Sequence, residues 1–404
     1  MDGNFSGNFD SEFFSIMFRA DRKGRMMKRL DHKETMTFFT IFLSFNLFTI
    51  CSKNEPSCEI VPVNFVKSTQ VFDSLSTFQT VLGDLDRDGD LDLVFSINGP
   101  DGCRVLFNDG KGYFTESDQR LTDQGHGVGI GDLDRDGDLD MLMTCAGYDH
   151  LSKIYFNEGQ GKFTDSQQDL GDFQLSGNAV FLHDMDGDGD LDGLIDYYQK
   201  DNIIYLNDGK GRFSDSGKRY PDNSSSMDLD SDGDVDIFTC DMGKGYRTLL
   251  NDGRGNFLDH WSYPDTSLVR CFRGFGDIDH DGDIDVIVTN GNRRQSHPTK
   301  ILFNDGTGTF VEGEQTLSPV FAGRVGVGDV NQDGHQDIVL TSYRRPNEIW
   351  LNNGNGEFLK TLELENNGAF HTALLEDIDS DGDLDLIIAN YSGGSNEIWF
   401  NRKK

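Results

Sequence analysis

An all-β fold, a seven-bladed β-propeller with four antiparallel strands per blade, is predicted from three features of the sequence. A nine-residue acidic phrase occurs seven times, beginning at Asp84, Asp132, Asp184, Asp228, Asp277, Asp329 and Asp377. Its starts are separated by 48, 52, 44, 49, 52 and 48 residues, a period that marks a propeller or a solenoid. Each of the first six periods also carries a glycine-rich phrase 23 to 27 residues after the leading Asp, NDGKGYF at Asn108–Phe114 in the first copy.

The acidic phrase reads DLDRDGDLD in its first copy, with side-chain oxygens at positions 1, 3, 5 and 9 and a glycine at position 6. Carboxylates crowded in this way repel one another unless a cation lies among them, and an all-oxygen set with a backbone carbonyl at position 7 suits Ca2+ better than Mg2+. The candidate metal residues are Asp84, Asp86, Asp88, Asp90 and Asp92 in the first loop, and Asp132, Asp134, Asp136, Asp138 and Asp140 in the second. Asp184, Asp186, Asp188, Asp190 and Asp192 form the third, and Asp228, Asp230, Asp232, Asp234 and Asp236 the fourth. Asp277, Asp279, Asp281, Asp283 and Asp285 follow in the fifth, then Asp329, Asn331, Asp333, His335 and Asp337 in the sixth. Asp377, Asp379, Asp381, Asp383 and Asp385 make the seventh. An EF-hand needs Glu at position 12 and a helix after it; here position 12 is Phe95, Met143, Ile195, Thr239, Val288, Leu340 or Ile388, inside short β-branched runs that predict a strand. Up to seven Ca2+ ions are therefore expected in loops that join two strands.

These loops account for much of the acidity. Of 70 acidic residues, 27 occupy ligand positions, and seven divalent ions would bring the formal charge from −34 to about −20. Nothing basic in the repeats favours nucleic acid as a partner. Six cysteines are too few and too scattered for a disulfide framework, and Cys145 and Cys240, in similar strand positions, read as small buried apolar residues.

Residues 1–35 form a polar and basic leader, and residues 36–51 a hydrophobic segment in which TFFTIFLSFNLFTI ends at Cys51. A basic stretch before 14 mostly apolar residues is a secretory signal pattern, short for a membrane-spanning helix. Met26, Met27 and Met36 are alternative starts. Cys51 resembles the lipid-modified cysteine of bacterial lipoproteins, with Ile50 standing where that family's motif has a small residue. Release, retention as an anchor and lipidation at Cys51 all put the repeats outside the cytoplasm, secreted or at the cell surface. A linker, 52–60, then leads into the repeats of 61–404.

One period parses as strand A (VGIGD), acidic loop, strand B (DMLMTC), connection, strand C (KIYFN), hairpin and strand D (KFTDS). The Asn, Asp and Gly cluster of the hairpin supplies positive φ angles. The last copy stops at its strand C, IWFN, while VNFVKSTQVFDSLSTFQTVLGD before the first loop reads as a strand D followed by a strand A. The N-terminal strand is expected to complete the seventh blade. Seven DxDxDGxxD loops with their hairpins resemble the FG-GAP/VCBS repeats of the integrin α-subunit propeller family over residues 61–404. The resemblance implies a seven-bladed propeller with structural Ca2+ in the A–B loops. The fourth copy departs from it, reading SSSMDLDSDGD with a short run before it, so its inner strand is expected to be short. The sixth, DVNQDGHQD, carries less ligand charge.

Strand alternation puts acidic loops and hairpins on one face of the ring and the B–C and D–A connections, where the copies differ, on the other. Variable loops on a rigid scaffold are where binding usually resides. That face collects Tyr198, Tyr343 and Tyr391, with Tyr148, Tyr246, Arg293, Arg294, His297, Arg344 and Arg345 nearby. His126, Asn178, Cys271 and His371 stand six residues before a leading Asp, flanked by Arg270 and Arg324, at the expected channel mouth. Aromatic planes beside arginine donors suit sugar rings, uronic acids or acidic protein loops; the same tyrosines equally suit blade packing, and the arginines offset an acidic surface. The sequence thus predicts a non-catalytic recognition or adhesion module. Its alternative is a polysaccharide lyase using His126, His371 and Arg324.

Overall fold

The computed structural model of the chain describes residues 63–402 apart from 73–75, 100–101, 123, 148–149, 173–174, 293, 321–322, 344, 366–369 and 392–393. The leader, the hydrophobic segment with Cys51, and the linker lie outside the described residues, as do Tyr148, Arg293 and Arg344.

Every blade repeats one meander. Strand β1 (Phe65–Lys67) precedes the first blade, β2 (Thr77–Gly83), β3 (Asp92–Ile97), β4 (Arg104–Asn108) and β5 (Phe114–Glu116). The second is β6 (Gly125–Gly131), β7 (Asp140–Cys145), β8 (Ser152–Asn157) and β9 (Phe163–Leu170), and the third β10 (Gly177–His183), β11 (Asp192–Tyr197), β12 (Asn202–Asn207) and β13 (Phe213–Tyr220). Blade four is β14 (Ser224–Met227), β15 (Asp236–Asp241), β16 (Gly245–Asn251) and β17 (Phe257–Pro264). Blade five is β18 (Cys271–Gly276), β19 (Asp285–Asn290), β20 (Thr299–Asn304) and β21 (Phe310–Leu317). Blade six is β22 (Val325–Gly328), β23 (Asp337–Leu340), β24 (Asn347–Asn352) and β25 (Phe358–Leu364). The last sheet runs β26 (Phe370–Glu376), β27 (Asp385–Asn390), β28 (Glu397–Asn401), and its fourth strand is β1, paired antiparallel with Phe65 opposite Asn401. All seven sheets are antiparallel and all-β, and β14 is short, with four residues.

Burial follows position in the blade. The second strands, such as β3 and β19, are buried at every residue because neighbouring blades cover both of their faces. The outermost strands, such as β9 and β13, alternate between buried and exposed residues and have solvent on one side. The first strands touch their counterparts in adjacent blades and surround the axis, β2 meeting both β6 and β26. Among the described residues seven apolar clusters fill the spaces between blades, and each includes the residue at position 2 of an acidic loop: Leu85 packs with Val94, Val128, Met141 and Phe163, and Leu133 with Leu142, Ile154 and Ile195.

Candidate functional site

Each acidic loop is shaped by its own side chains. The position-1 carboxylate accepts a hydrogen bond from the glycine N–H at position 6, at 3.2 Å for Asp84 and Gly89 and 2.9 Å for Asp377 and Gly382. Position 5 accepts from the N–H at position 7, as Asp88 does from Asp90 at 3.0 Å. Glycine at position 6 has φ 97° in the first loop, and position 4 is also left-handed although it is usually not glycine, φ being 64° at Arg87 and 67° at His280. A loop turned this tightly points the first side chains of the phrase inward.

Position 9 ties the loop to the rest of the blade. Asp92 Oδ2 accepts from the Leu85 N–H at 3.0 Å, and its Oδ1 accepts from the Asn108 N–H on β4 at 2.9 Å. The Asn157, Asn207, Asn251, Asn304, Asn352 and Asn401 N–H groups make the second of these bonds in the other copies, each at 2.8 Å. All seven position-9 carboxylates are 0 % exposed. Burial pushes them up to about 7, and Asp337 to about 8, against the bonds from backbone N–H groups that favour the charged form.

The donor set fits a hard cation. In loops one, three, four and five the carboxylates at positions 1, 3 and 9 offer oxygens within 4.8 Å of one another. At position 1, Oδ1 of Asp84, Asp132, Asp228 and Asp277 is buried without a hydrogen-bond partner, and at position 3 so is Oδ1 of Asp186, Asp230, Asp279 and Asp379. Buried oxygens with nothing donating to them are costly, and a shared cation satisfies several at once. In the sixth loop the Asn331 amide turns to Asp333 Oδ2 at 2.9 Å, and in the seventh Arg402 donates to Asp379 and Asp381.

Position 7 makes outward contacts. Arg87 of the first loop pairs with Asp138 of the second at 2.6 Å, Arg135 of the second pairs with Asp190 of the third, and His280 of the fifth meets His335 of the sixth edge-on at 5.5 Å. The hairpins close over the same residues. A Cβ on Gly110 (φ 70°) would lie 2.6 Å from Asp90 Oδ2, so glycine is required where hairpin and loop touch.

The hairpin asparagine is the residue whose role the sequence reading missed. Its side chain joins blades. Asn108 Nδ2 donates to Leu91 O in its own loop at 3.1 Å and to Ile378 O in the seventh blade's loop at 2.8 Å. Asn157, Asn207, Asn251, Asn304, Asn352 and Asn401 likewise reach Leu85 O, Leu133 O, Met185 O, Leu229 O, Ile278 O and Val330 O, each in the preceding blade, at 2.6 to 3.0 Å. The signal was visible as an Asn at the head of every hairpin phrase and again at the end of IWFN, where no hairpin follows.

On the opposite face a cavity of about 220 Å3 is formed where blades three, four and five meet, lined among others by Asn178, Asp196, Tyr198, Asn223, Met242 and Arg270. Tyr198 is 48 % exposed. Asp196 Oδ1 accepts from the Asn223 N–H at 3.0 Å, and burial raises its carboxyl despite the charge of Arg273. Nearer the axis, His126 stacks on Phe78 with centroids 3.4 Å apart, and its Nδ1 donates to the Gly177 carbonyl at 2.8 Å. Burial lowers His126 to about 4, and the charges of Arg270 and Arg324 act in the same direction. Tyr391 packs edge-on against Phe78 at 5.5 Å, joining this group. Tyr343 and Arg345 belong to blade six, where the Arg345 guanidinium donates to Pro319 O at 3.4 Å. His371 belongs to β26, and its side chain lies outside the described residues.

Three expectations are corrected. Tyr246 is fully buried and donates to Asp265 at 3.3 Å, so it is a core residue. Cys240 and Cys271 form a disulfide across blades four and five, with their Cα atoms 6.1 Å apart, so Cys240 is not a lone buried apolar residue and Cys271 is not a free group at the channel mouth. They lie 31 residues apart in sequence, and only the packing of adjacent blades makes them neighbours. Cys145 is buried as expected.

A model of FG-GAP-like repeats matches residues 84–143, 132–195, 228–288, 277–339 and 329–388. The chain belongs to the FG-GAP-like repeat family. The stretch this FG-GAP match omits, between the third and fourth loops, is the shortest interval and holds the four-residue β14. No curated protein sequence matches the chain. Among solved structures, this FG-GAP propeller is similar to an Agrocybe aegerita lectin described as recognising non-reducing terminal N-acetylglucosamine. That match has a TM-score of 0.53 and 22 % identity over 81 % of this chain and 86 % of the lectin. BBS1N, solved in complex with ARL6DN, is similar with a TM-score of 0.56 and 11 % identity over 84 % of this chain and 98 % of that one. At these identities the likeness is one of fold.

Proposed function

We propose that this FG-GAP propeller is a Ca2+-stabilised, non-catalytic recognition module of the extracytoplasmic space that binds a glycan through the face opposite its acidic loops. The observation that carries the reading is the cavity between blades three, four and five. It sets amide, carboxylate and guanidinium groups beside the exposed Tyr198 ring, a combination that suits hydroxyl groups and one apolar sugar face. The lectin with a similar fold is in keeping with a glycan and the BBS1N complex with a protein, by analogy of fold alone; the chemistry of the cavity is what favours the glycan.

Calcium is supported by the unpartnered buried oxygens at positions 1 and 3 of the loops. When bound it supplies charge neutralisation and a fixed geometry to the turn. Extracytoplasmic placement is supported by the Cys240–Cys271 disulfide, which persists in oxidising compartments, together with the signal-like segment before Cys51.

A glycan array probed with the Ca2+-loaded protein tests recognition. The reading expects a ligand whose binding falls at least tenfold in Asn178→Ala and Tyr198→Ala variants that keep the parent melting temperature. Unchanged binding in both variants moves the site elsewhere, and a protein partner in place of any glycan reverses the choice made here. The lyase alternative expects unsaturated-product absorbance on incubation with uronate polymers.

A further inference from the structure

Three arginines converge at the mouth of the central channel, on the face opposite the acidic loops. Arg270 directly precedes β18, Arg273 lies within it, and Arg324 directly precedes β22. The guanidinium carbons of Arg324 and Arg270 lie 4.3 Å and 5.0 Å from the centre of the Phe272 ring. Arg273 Nε donates to Ser225 Oγ at 3.0 Å and its Nη1 to Asn223 O at 2.7 Å, which fix that side chain across to blade four. Arg324 has no such anchor. Its Nε is buried without a hydrogen-bond partner, and among the described residues its guanidinium has no carboxylate within ion-pair distance.

Asp196 is the carboxylate whose field reaches Arg273 and Arg324, and one of its oxygens already accepts from the Asn223 N–H. Burial, and then repulsion from Arg270 and Arg273, lowers Arg324 to about 9; burial lowers Arg273 to about 10. A protein with a formal charge of −34 thus holds the Arg324 guanidinium near two further cations at the channel mouth, where a buried cation without an ion pair costs stability. A planar guanidinium left without partners presents paired N–H donors that match the two oxygens of a carboxylate. The stacked rings of Phe78 and His126 lie close by, with His126 within the field of Arg270 and Arg324.

We infer that the channel mouth is a carboxylate site, in which Arg324 receives the acid group of a uronic-acid residue in a glycan. This inference rests on the reading of that face as the recognition face, and it narrows the ligand class from glycans in general to acidic ones. Arg324 is then a specificity residue whose burial costs stability.

The test is calorimetric titration of the full Ca2+-loaded chain with a glucuronate-containing oligosaccharide, its neutral glucose counterpart, sodium glucuronate and a poly-glutamate peptide. The uronate oligosaccharide is expected to bind at least tenfold tighter than the neutral one and to weaken as salt rises. Arg324→Gln is expected to lose that tenfold advantage, and Arg324→Lys to keep only part of it. A second measurement does not depend on any ligand: Arg324→Gln should melt at or above the parent temperature, because an unpaired buried cation has been removed. Uronate binding unchanged by Arg324→Gln, or poly-glutamate binding without uronate binding, overturns the inference. Binding of free glucuronate that depends on Arg324, with no oligosaccharide on the array bound, upholds the acid site while the wider glycan reading fails.

Discussion

The hairpin asparagines show how one residue type can hold a ring together. All but Asn401 donate to two loop carbonyls, one in their own blade and one in a neighbouring blade, and Asn401 donates to Val330 O of the blade before. Replacing Asn207 by Ala leaves Leu133 O and Leu191 O without those donors and should cost about 2–3 kcal/mol, read as a lower denaturant midpoint at constant m-value. Asn207→Asp should be worse, since a carboxylate would face two carbonyl oxygens. Equal midpoints for parent, Ala and Asp forms would remove the asparagine circuit from the account. His126 gives a pH-dependent test at the same scale. Its folded value, about 4, lies below the ordinary 6.5, so the stability it contributes is complete above pH 6.5 and is lost as pH falls towards 4. At pH 5 that loss should reach about 2 kcal/mol, and His126→Gln should flatten this part of the acid limb. If the two proteins lose stability in parallel between pH 6.5 and 4, His126 is not held neutral by its stacking on Phe78.

At the scale of strands and loops, most of the fold could be read from the chain because its signals are local. VGIGD, DMLMTC, KIYFN and KFTDS each fall within an observed strand or at its edge, β6 to β9, since alternation and turn residues act within a few positions. The short β14 was legible for the same reason. What the sequence hid is what adjacency between blades creates. The Cys240–Cys271 bond joins the end of β15 to the start of β18 across a blade boundary, and the 220 Å3 cavity draws on three blades at once. The asparagine ladder was likewise masked, because a hairpin motif already explained an Asn there. The disulfide carries its own prediction. A closed loop of about 30 residues contributes roughly 2–4 kcal/mol, so Cys240→Ser or reduction should lower the melting temperature, and reduction should not change a Cys240→Ser/Cys271→Ser protein. A parent protein indifferent to reductant would mean that the bond does not form in solution.

The whole molecule is a circuit in which the acidic loops and the blade contacts are the same structure. A position-2 residue fills the space between blades with its side chain and receives the next blade's asparagine at its carbonyl, while flanking positions 1 and 3 hold buried carboxylate oxygens. Loosening one loop therefore loosens a blade boundary, and chelation should act on the ring as a whole. Two unit charges about 4 Å apart repel by about 4 kcal/mol at intermediate dielectric, so stripping Ca2+ from several loops should lower the melting temperature by roughly 10 °C or more. The fall should occur as one cooperative transition. Restored Ca2+ should reverse it and Mg2+ should not, because crowded carboxylates in a flexible turn suit the larger ion, whereas Mg2+ demands near-ideal octahedral geometry and gives up its waters reluctantly. The sixth loop, with Asn331 in place of a carboxylate, and the seventh, where Arg402 already contacts Asp379 and Asp381, should fill last in a calcium titration. Calorimetry showing no bound calcium, together with a melting curve unmoved by chelator, would mean that the backbone bonds and the asparagine circuit hold these carboxylates without a metal.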